Sequence, residues 1–404
     1  MPDNRRAIVI GGSMSGLLCG LLLRRAGWRV DIFERVGDEL SGRGAGIVAQ
    51  QELIARLRGL GLSTGGLGVE ITTRRIFDAG GHVTQAMECP QVLTAWERVY
   101  RLLRDAFPPA HYHRGRGLAS FEENADGVVA RFSDGESIDA ELLVGADGIR
   151  STVRQQALPD VAPLYAGYAA WRALIAETAI PPDVHRDLFE FMSFGLPPGE
   201  QFLCYPVAGP DNDLRAGKRR FNVVWYRPAD EATKLQWLLT DESGHAHSIS
   251  IPPPLIRREA VTQMRADAER LLAPQFRRIV REIEEPILQP IYDLVSPRMA
   301  FGRVAILGDA AFVARPHVAA GVSKAADDAA AIAAALQAEA DVAAALRRFE
   351  AARLPENIRI IERARHLGAY LQATQTQEEQ ARAGRHSTAG AVLAETAVLD
   401  FLYA

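Results

Sequence analysis

Three cysteines are scattered over 404 residues, at positions 19, 89 and 204. Their number is odd and their spacing fits no metal-binding pattern, so neither a disulfide framework nor a thiolate metal site is expected. An excess of charge of one sign is also missing: 46 basic and 50 acidic residues leave a formal net charge of −4. That balance gives no electrostatic reason to expect nucleic acid or a membrane surface as a partner. Long apolar runs are absent, and none approaches the roughly 18 residues that a membrane span requires. The first run, Ala7–Ile10, is too short and too early for a signal-peptide core. A cytoplasmic chain with free, buried thiols is expected. Hydrophobic content of 48% with 24% charged residues is that of a globular protein, and the length predicts two or three domains.

What is present begins at Val9-Ile10-Gly11-Gly12-Ser13-Met14-Ser15-Gly16-Leu17. A short apolar run leads into a glycine loop. Leu17, Leu18, Leu21 and Leu22 then recur at helical spacing until Gly27, and Val30, Ile32 and Phe33 resume an extended pattern ending at Glu34-Arg35. Strand, glycine loop, helix and strand in this order form the βαβ context of a dinucleotide fingerprint. Gly11 and Gly16 hold its first and third glycine places, and Ser13 stands at the second. Ser13, Met14 and Ser15 are expected to offer helix N-terminal N–H groups to a pyrophosphate. Glu34 is placed to accept hydrogen bonds from a ribose, with Arg35 beside it. The fingerprint alone does not separate FAD from NAD.

Further along, the pattern predicts helices over 50–59 and 95–107, a hairpin over 71–87 around Gly80-Gly81, and a hairpin at Ser133-Asp134-Gly135. Strand-like runs follow at 168–175, 188–194, 202–207 and 221–226, with helices at 260–272 and 274–285. A buried strand at 304–307 precedes an alanine-rich helix from about 322 to 336, and 341–404 reads as mostly helical. The fold class expected is α/β. A discontinuous Rossmann-like domain (1–157 and 299–404, the latter with the C-terminal helices) is interrupted by a mixed-sheet substrate domain over 158–298.

Two more motifs lie in this frame. They are Gly145-Ala146-Asp147-Gly148-Ile149-Arg150-Ser151 and Gly308-Asp309-Ala310-Ala311, the latter followed by Arg315-Pro316-His317 and Gly321-Val322. With the N-terminal fingerprint, they resemble the class A FAD-dependent aromatic hydroxylases of the para-hydroxybenzoate hydroxylase group. Residues 41–48, Tyr165 to Tyr168 with Trp171-Arg172, Tyr205-Pro206 and 315–321 are similar to the hydroxypyridine monooxygenases among them. The pattern departs from the commoner one at Phe312, where histidine is usual, at Ala319, where glycine is common, and at Ser323, where asparagine is common.

The resemblance implies bound FAD, with NADH or NADPH as a transient co-substrate, since a single Rossmann fingerprint leaves the nicotinamide no domain of its own. It implies hydroxylation of a small hydroxylated ring by O2 through a C4a-hydroperoxyflavin. It places Asp147 at the pyrophosphate, Asp309 at the ribityl chain, and Pro316, Gly321 and Val322 at the flavin ring. Arg43, in the glycine loop after Ser41, is a further cofactor contact. His317 is the first candidate for acid–base work, because histidine titrates near neutral pH. Tyr205 is a second candidate, and Gln50 and Arg172 join these two as candidate substrate contacts. The histidine pairs at 111/113 and 245/247 have no further ligand in sequence and are expected to be surface residues, so no metal site is expected. A homodimer is implied at the level of the family only. Other chemistry on the same fold (a halogenase or reductase) and a hydroxybenzoate or salicylate hydroxylase remain alternatives, although the Trp-x-Trp-x-Ile-Pro run of halogenases is absent.

Overall fold

The computed structural model describes residues 5–40, 46–124 and 126–402. Its first sheet is six-stranded. Strand β1 (Arg6–Ile10) lies at its centre, parallel to β2 (Arg29–Glu34) on one side and to the strand Leu142–Gly145 on the other. Val304–Ile306 continues the parallel order beyond Leu142–Gly145, and Tyr112–Arg114 extends the sheet beyond β2. Helix α1 (Met14–Arg25) crosses from β1 to β2 and buries Leu17, Leu18 and Leu23 completely. Both faces of such a sheet are covered, which is why β1 and Leu142–Gly145 are nearly continuous apolar runs.

The second sheet has nine strands and corrects the division expected at residue 157. Strands Gly46–Ala49, Val69–Phe77 and Val83–Ala95 fall within the expected first FAD-binding segment, yet they pair into the same sheet as Leu164–Ala176, Gln201–Val207, Arg220–Pro228 and Ile287–Val295. The join is a parallel pairing of Met192–Gly195 with Arg74–Phe77, a long-range contact that a shift in composition does not reveal. A second correction concerns 188–194. Pro182 at the first helical turn starts a short helix, Pro182–Leu188, and only Met192–Gly195 is strand. The expected turn at Asp134-Gly135 does join antiparallel strands Val128–Phe132 and Ser137–Ala140, with Gly135 at φ +89°.

Three of the four paired histidines are tied to a carboxylate, while His245 is exposed as expected. His111 Nδ1 and His113 Nε2 both contact Asp31 Oδ1, at 2.9 and 3.2 Å, and His247 contacts Asp241 at 3.0 Å. Cys19 and Cys204 are buried, and Cys89 is half-buried. Among the described residues no cluster suits a metal ion, and no helix is long and apolar enough to cross a membrane.

The two long C-terminal helices, Gly321–Ala338 and Val342–Gly368, are joined by a buried polar node. Asp328, 0% exposed, accepts from Arg353 Nε at 2.9 Å, Asn357 Nδ2 at 3.0 Å and the backbone N–H of Gly308 at 3.1 Å. Removing one partner of such a pair leaves the other charge buried and uncompensated. Asp328→Ala is therefore expected to lower unfolding free energy on the order of 3 kcal/mol, as read by denaturant titration of the apoprotein.

Candidate active site

Four peptide segments converge at the C-terminal ends of the parallel strands. At the first, Gly11 has φ +104°, and a Cβ there would lie 2.3 Å from the carbonyl oxygen of Ala146. A Cβ on Gly16 would lie 1.9 Å from the carbonyl oxygen of Gly11. Both places therefore require glycine. Ser13, at the second place, caps α1 without using its side chain, and the first helical bond runs from Leu17 N–H to Ser13. The preceding N–H groups of the helix are left for an anion. Glu34 is buried, and its carboxylate accepts N–H from Gly12 at 2.8 Å and from Val36 at 2.9 Å. Each oxygen keeps a second lone pair.

The Asp147 carboxylate is engaged within its own turn. It accepts from Ser151 Oγ at 2.5 Å and from Thr152 N–H at 2.7 Å, and burial still pushes its carboxyl above the usual range. Arg154, 1% exposed, donates to the carbonyls of Ile149 at 2.6 Å and Ala310 at 2.9 Å. This arginine fastens the Asp147 segment to the Asp309 segment, a link the sequence reading did not include.

Gly308, at φ +59°, packs so closely that a Cβ would meet Ser15 Oγ at 2.5 Å. The turn aims Asp309 into the groove. Among the described residues the Asp309 carboxylate has no hydrogen-bond partner, and it lies open to the groove. Partial desolvation by the groove walls raises its proton affinity, and the nearby Lys324 ammonium opposes that rise. Beyond it, Ala319 adopts φ +48°, which explains why glycine is the common residue at this place. Helix Gly321–Ala338 starts without a side-chain cap, and its first bond runs from Lys324 N–H to Ala320. Its leading N–H groups and positive dipole end face the same groove, next to Pro316.

The groove runs from Glu34 and Arg35, past Ser13, Ser15 and Asp147, to Asp309. It continues into a cavity of about 340 Å³ lined by Met14, Pro316, His317, Gly321, Val322 and the second sheet. Uncapped N–H groups midway, a buried acceptor at one end, an unpartnered carboxylate and a second uncapped helix together fit an elongated dinucleotide with an electron-accepting ring, as FAD has. Arg43 lies outside the described residues.

The sheet supplies the cavity floor. Tyr205 donates its hydroxyl to the carbonyl of Gly46 at 3.0 Å, and burial pushes its proton affinity up to about 12. Asn222 accepts the N–H of Gly46 at 2.9 Å. Arg172 donates to Gln289 Oε1 at 2.8 Å and to the Gly46 carbonyl at 3.3 Å, and forms no ion pair with any described carboxylate. Tyr205 thus serves first to hold the end of the glycine loop. Gln50 does not line the cavity; its amide donates to the Ala397 carbonyl at 3.1 Å. The hydroxyl that the sequence reading missed is Tyr226, which lines the cavity with no hydrogen-bond partner among the described residues. Its signal was present: Tyr226 sits on the expected 221–226 strand, in register with Gln201 and Ala170.

His317 is 3% exposed and joined through Nε2 to the Tyr168 hydroxyl at 2.8 Å. Its ring lies 4.6 Å from that of Tyr226. Burial, with the adjacent Arg315 guanidinium, holds its pKa down to about 3. The imidazole is therefore neutral at working pH, a hydrogen-bonding group rather than a stored proton, and Nδ1 has no described partner.

An α/β fold with a nucleotide groove opening onto a ring-sized cavity defines a flavin-dependent enzyme acting on small molecules. Comparison with known proteins agrees. The family described as FAD binding domain-like matches residues 165–293. The chain is 32% identical over 372 residues to 2,6-dihydroxypyridine 3-monooxygenase of Paenarthrobacter nicotinovorans, covering 92% of each chain. It is 31% identical to 3-amino-4-hydroxybenzoate 2-monooxygenase of Streptomyces cremeus, over 90% of this chain and 86% of that one. The solved structure of 2,6-dihydroxypyridine-3-hydroxylase from Arthrobacter nicotinovorans superposes with a TM-score of 0.87 at 32% identity, covering 93% of this chain and 95% of that one. The chain belongs to the family of FAD-dependent aromatic-ring monooxygenases, the hydroxylases that use NAD(P)H and O2.

Two outcomes test the site. Asp309→Ala is expected to raise the FAD dissociation constant about 10- to 100-fold, the loss of a hydrogen bond to a charged acceptor, measured by fluorescence titration of apoprotein. For His317, a depressed folded pKa means that the unfolded chain binds its proton first as pH falls. Its contribution to stability is complete above pH about 6.5 and is lost as pH falls toward 3. The His317→Gln variant should show a shallower fall of unfolding free energy across that window.

Proposed function

We propose that this chain hydroxylates a small ring bearing an ionisable hydroxyl, a hydroxypyridine-type N-heterocycle, held in the cavity between His317 and the sheet. The observation that carries this reading is Arg172. It is a guanidinium at the edge of a largely apolar cavity, with no described carboxylate to neutralise it. Such a group suits a ring oxyanion, and an electron-rich ring is what electrophilic hydroxylation requires. The names of the relatives, a dihydroxypyridine and an aminohydroxybenzoate monooxygenase, support the same chemistry. A hydroxybenzoate is the second reading, since its carboxylate would meet the same arginine.

FAD, when bound, supplies the passage of electrons from NAD(P)H and the activation of O2. Ser13, Met14, Ser15, Gly16, Glu34, Arg35, Asp147 and Asp309 would hold it, with Arg43, Pro316, Gly321 and Val322 toward its ring. The chain's own work is then orientation and exclusion. Arg172 fixes the ring oxygen, and the uncapped N–H groups at Gly321 and Val322 stabilise negative charge at the cofactor ring. Met192, Leu203 and Val224 keep water from the space between. His317, neutral and oriented by Tyr168, accepts or donates a hydrogen bond at Nδ1. Tyr226 offers the free hydroxyl on the floor, while Tyr205 and Gln50 act at one remove, through Gly46 and Ala397. A homodimer in the cytoplasm is the proposed working form, to be checked by light scattering.

Purified holoenzyme should oxidise NADH, followed at 340 nm, faster with one ring from a panel of hydroxypyridines and hydroxybenzoates, and release the hydroxylated ring. Tyr226→Phe should raise KM for that ring about 3- to 10-fold. A flavin spectrum with no stimulation by any ring would sink the substrate reading.

A further inference from the structure

One wall of the cavity beside His317 comes from Thr396 and Ala397, more than three hundred residues from the first segments of the sheet. The short helix Ala389–Glu395 lays Val392 and Leu393 into the apolar cluster of the second sheet and delivers the chain to this wall. Ala397 then adopts φ +55°, a left-handed conformation unusual for alanine. Strain of this kind persists only where the surroundings hold it.

Three bonds hold it. Ala397 donates its N–H to the His317 carbonyl at 2.7 Å. Its own carbonyl accepts the side-chain amides of Gln50 and Gln91, each at 3.1 Å. Behind Gln91 stands Arg74, which is 0% exposed. Arg74 grips Gln91 Oε1 through Nε and Nη2, at 3.1 and 2.7 Å, and donates Nη1 to the Leu393 carbonyl at 2.6 Å. A fully buried guanidinium with no described carboxylate is costly to maintain. All three of its bonds serve the segment 393–397 or the glutamine that holds it.

With the backbone of Ala397 fixed, the side chain presented to the cavity is that of Thr396. It is 9% exposed, it lines the cavity, and its hydroxyl has no partner among the described residues. We infer that Thr396 is a specificity-determining residue whose hydroxyl hydrogen-bonds a substituent of the aromatic ring, and that Gln50, Gln91 and Arg74 are positioning residues that hold it there through the 393–397 backbone. The inference rests on the cavity being the ring site proposed above. It gives the buried Arg74 and the displaced Gln50 one shared purpose.

The test uses Thr396→Val, which keeps the shape and removes the hydroxyl. Holoenzyme is titrated with the preferred ring and with analogues lacking one substituent each, and binding is read from the change in flavin absorbance. The expected result is a 3- to 10-fold weaker dissociation constant for the full ring, of about the size of one neutral hydrogen bond. One analogue should bind variant and wild type alike, FAD affinity should not change, and Thr396→Ser should restore the wild-type constant. Gln91→Leu should weaken the same ring and speed amide exchange over 393–399. If Thr396→Val leaves every dissociation constant within twofold, or weakens all analogues equally, the inference is overturned. A wild-type holoenzyme that binds rings, is weakened by Tyr226→Phe and is indifferent to Thr396→Val overturns it alone. A wild-type holoenzyme that responds to no ring overturns the ring-site reading and this inference with it.

Discussion

Gly308 donates its backbone N–H to a carboxylate that no solvent reaches, and the position of the cofactor groove follows from that bond. Asp328 accepts it while also taking Arg353 and Asn357, so the helix Gly321–Ala338 and the turn before Asp309 are locked as one piece. Gly308 can then hold φ +59° against Ser15, and Asp309 faces the groove without a partner of its own. From the other side Arg154 ties Ala310 to the Asp147 turn. Three motifs far apart in sequence share one groove because two buried side chains, Asp328 and Arg154, bind backbone atoms of the central one. Buried charges of this kind are costly unless fully hydrogen-bonded, and here they are placed where they fix the turn that carries Asp309 into the groove.

The second sheet carries an analogous arrangement at the ring end. Tyr205, Asn222 and Arg172 all bind the backbone of Gly46, where the glycine loop enters the sheet. A Cβ at Gly46 would come within 2.8 Å of Tyr205 and 2.9 Å of Asn222, so the close approach depends on glycine. The same floor presents the Arg172 guanidinium and the Tyr226 hydroxyl, which has no partner among the described residues, to the cavity. The residues that fix the Gly46 backbone thus lie in the same polar layer that faces the cavity. His317 completes the cavity from the cofactor side, neutral because burial and Arg315 act in the same direction on its proton.

Much of this was legible from residues alone. The glycine places of the fingerprint could be read because their geometry is local: Gly11 and Gly16 lie within one turn of the chain, and the clash that forbids a side chain at Gly16 is with Gly11 itself. Asp309 and His317 were singled out through their motifs, and the structure places them on the groove and cavity walls. Ala319 looked like a departure from the family pattern, and its left-handed backbone shows what that place demands. Tyr205 and Gln50 were read as ligand contacts because their neighbourhood in sequence pointed to the cavity, but the direction of a hydroxyl or an amide is set by acceptors elsewhere in the chain. For Tyr205 that acceptor is Gly46, and for Gln50 it is Ala397.

By itself the sequence determined the parallel βαβ core and the order of the motifs, because each depends on periodicity or on turns spanning a few residues, while FAD followed from the resemblance of those motifs to the aromatic hydroxylases. Tertiary structure alone decided that strands from 46 to 95 join the second sheet, that Arg154 and Asp328 bind the motifs together, and that residues 396 and 397 wall the cavity. Apart from the Asp328 bonds, which span 20 to 29 residues, those outcomes depend on pairings between segments a hundred residues or more apart, such as Met192 with Arg74 and Gln91 with Ala397. Their partners are chosen by packing and by the need to satisfy buried polar groups, neither of which has a period in the chain.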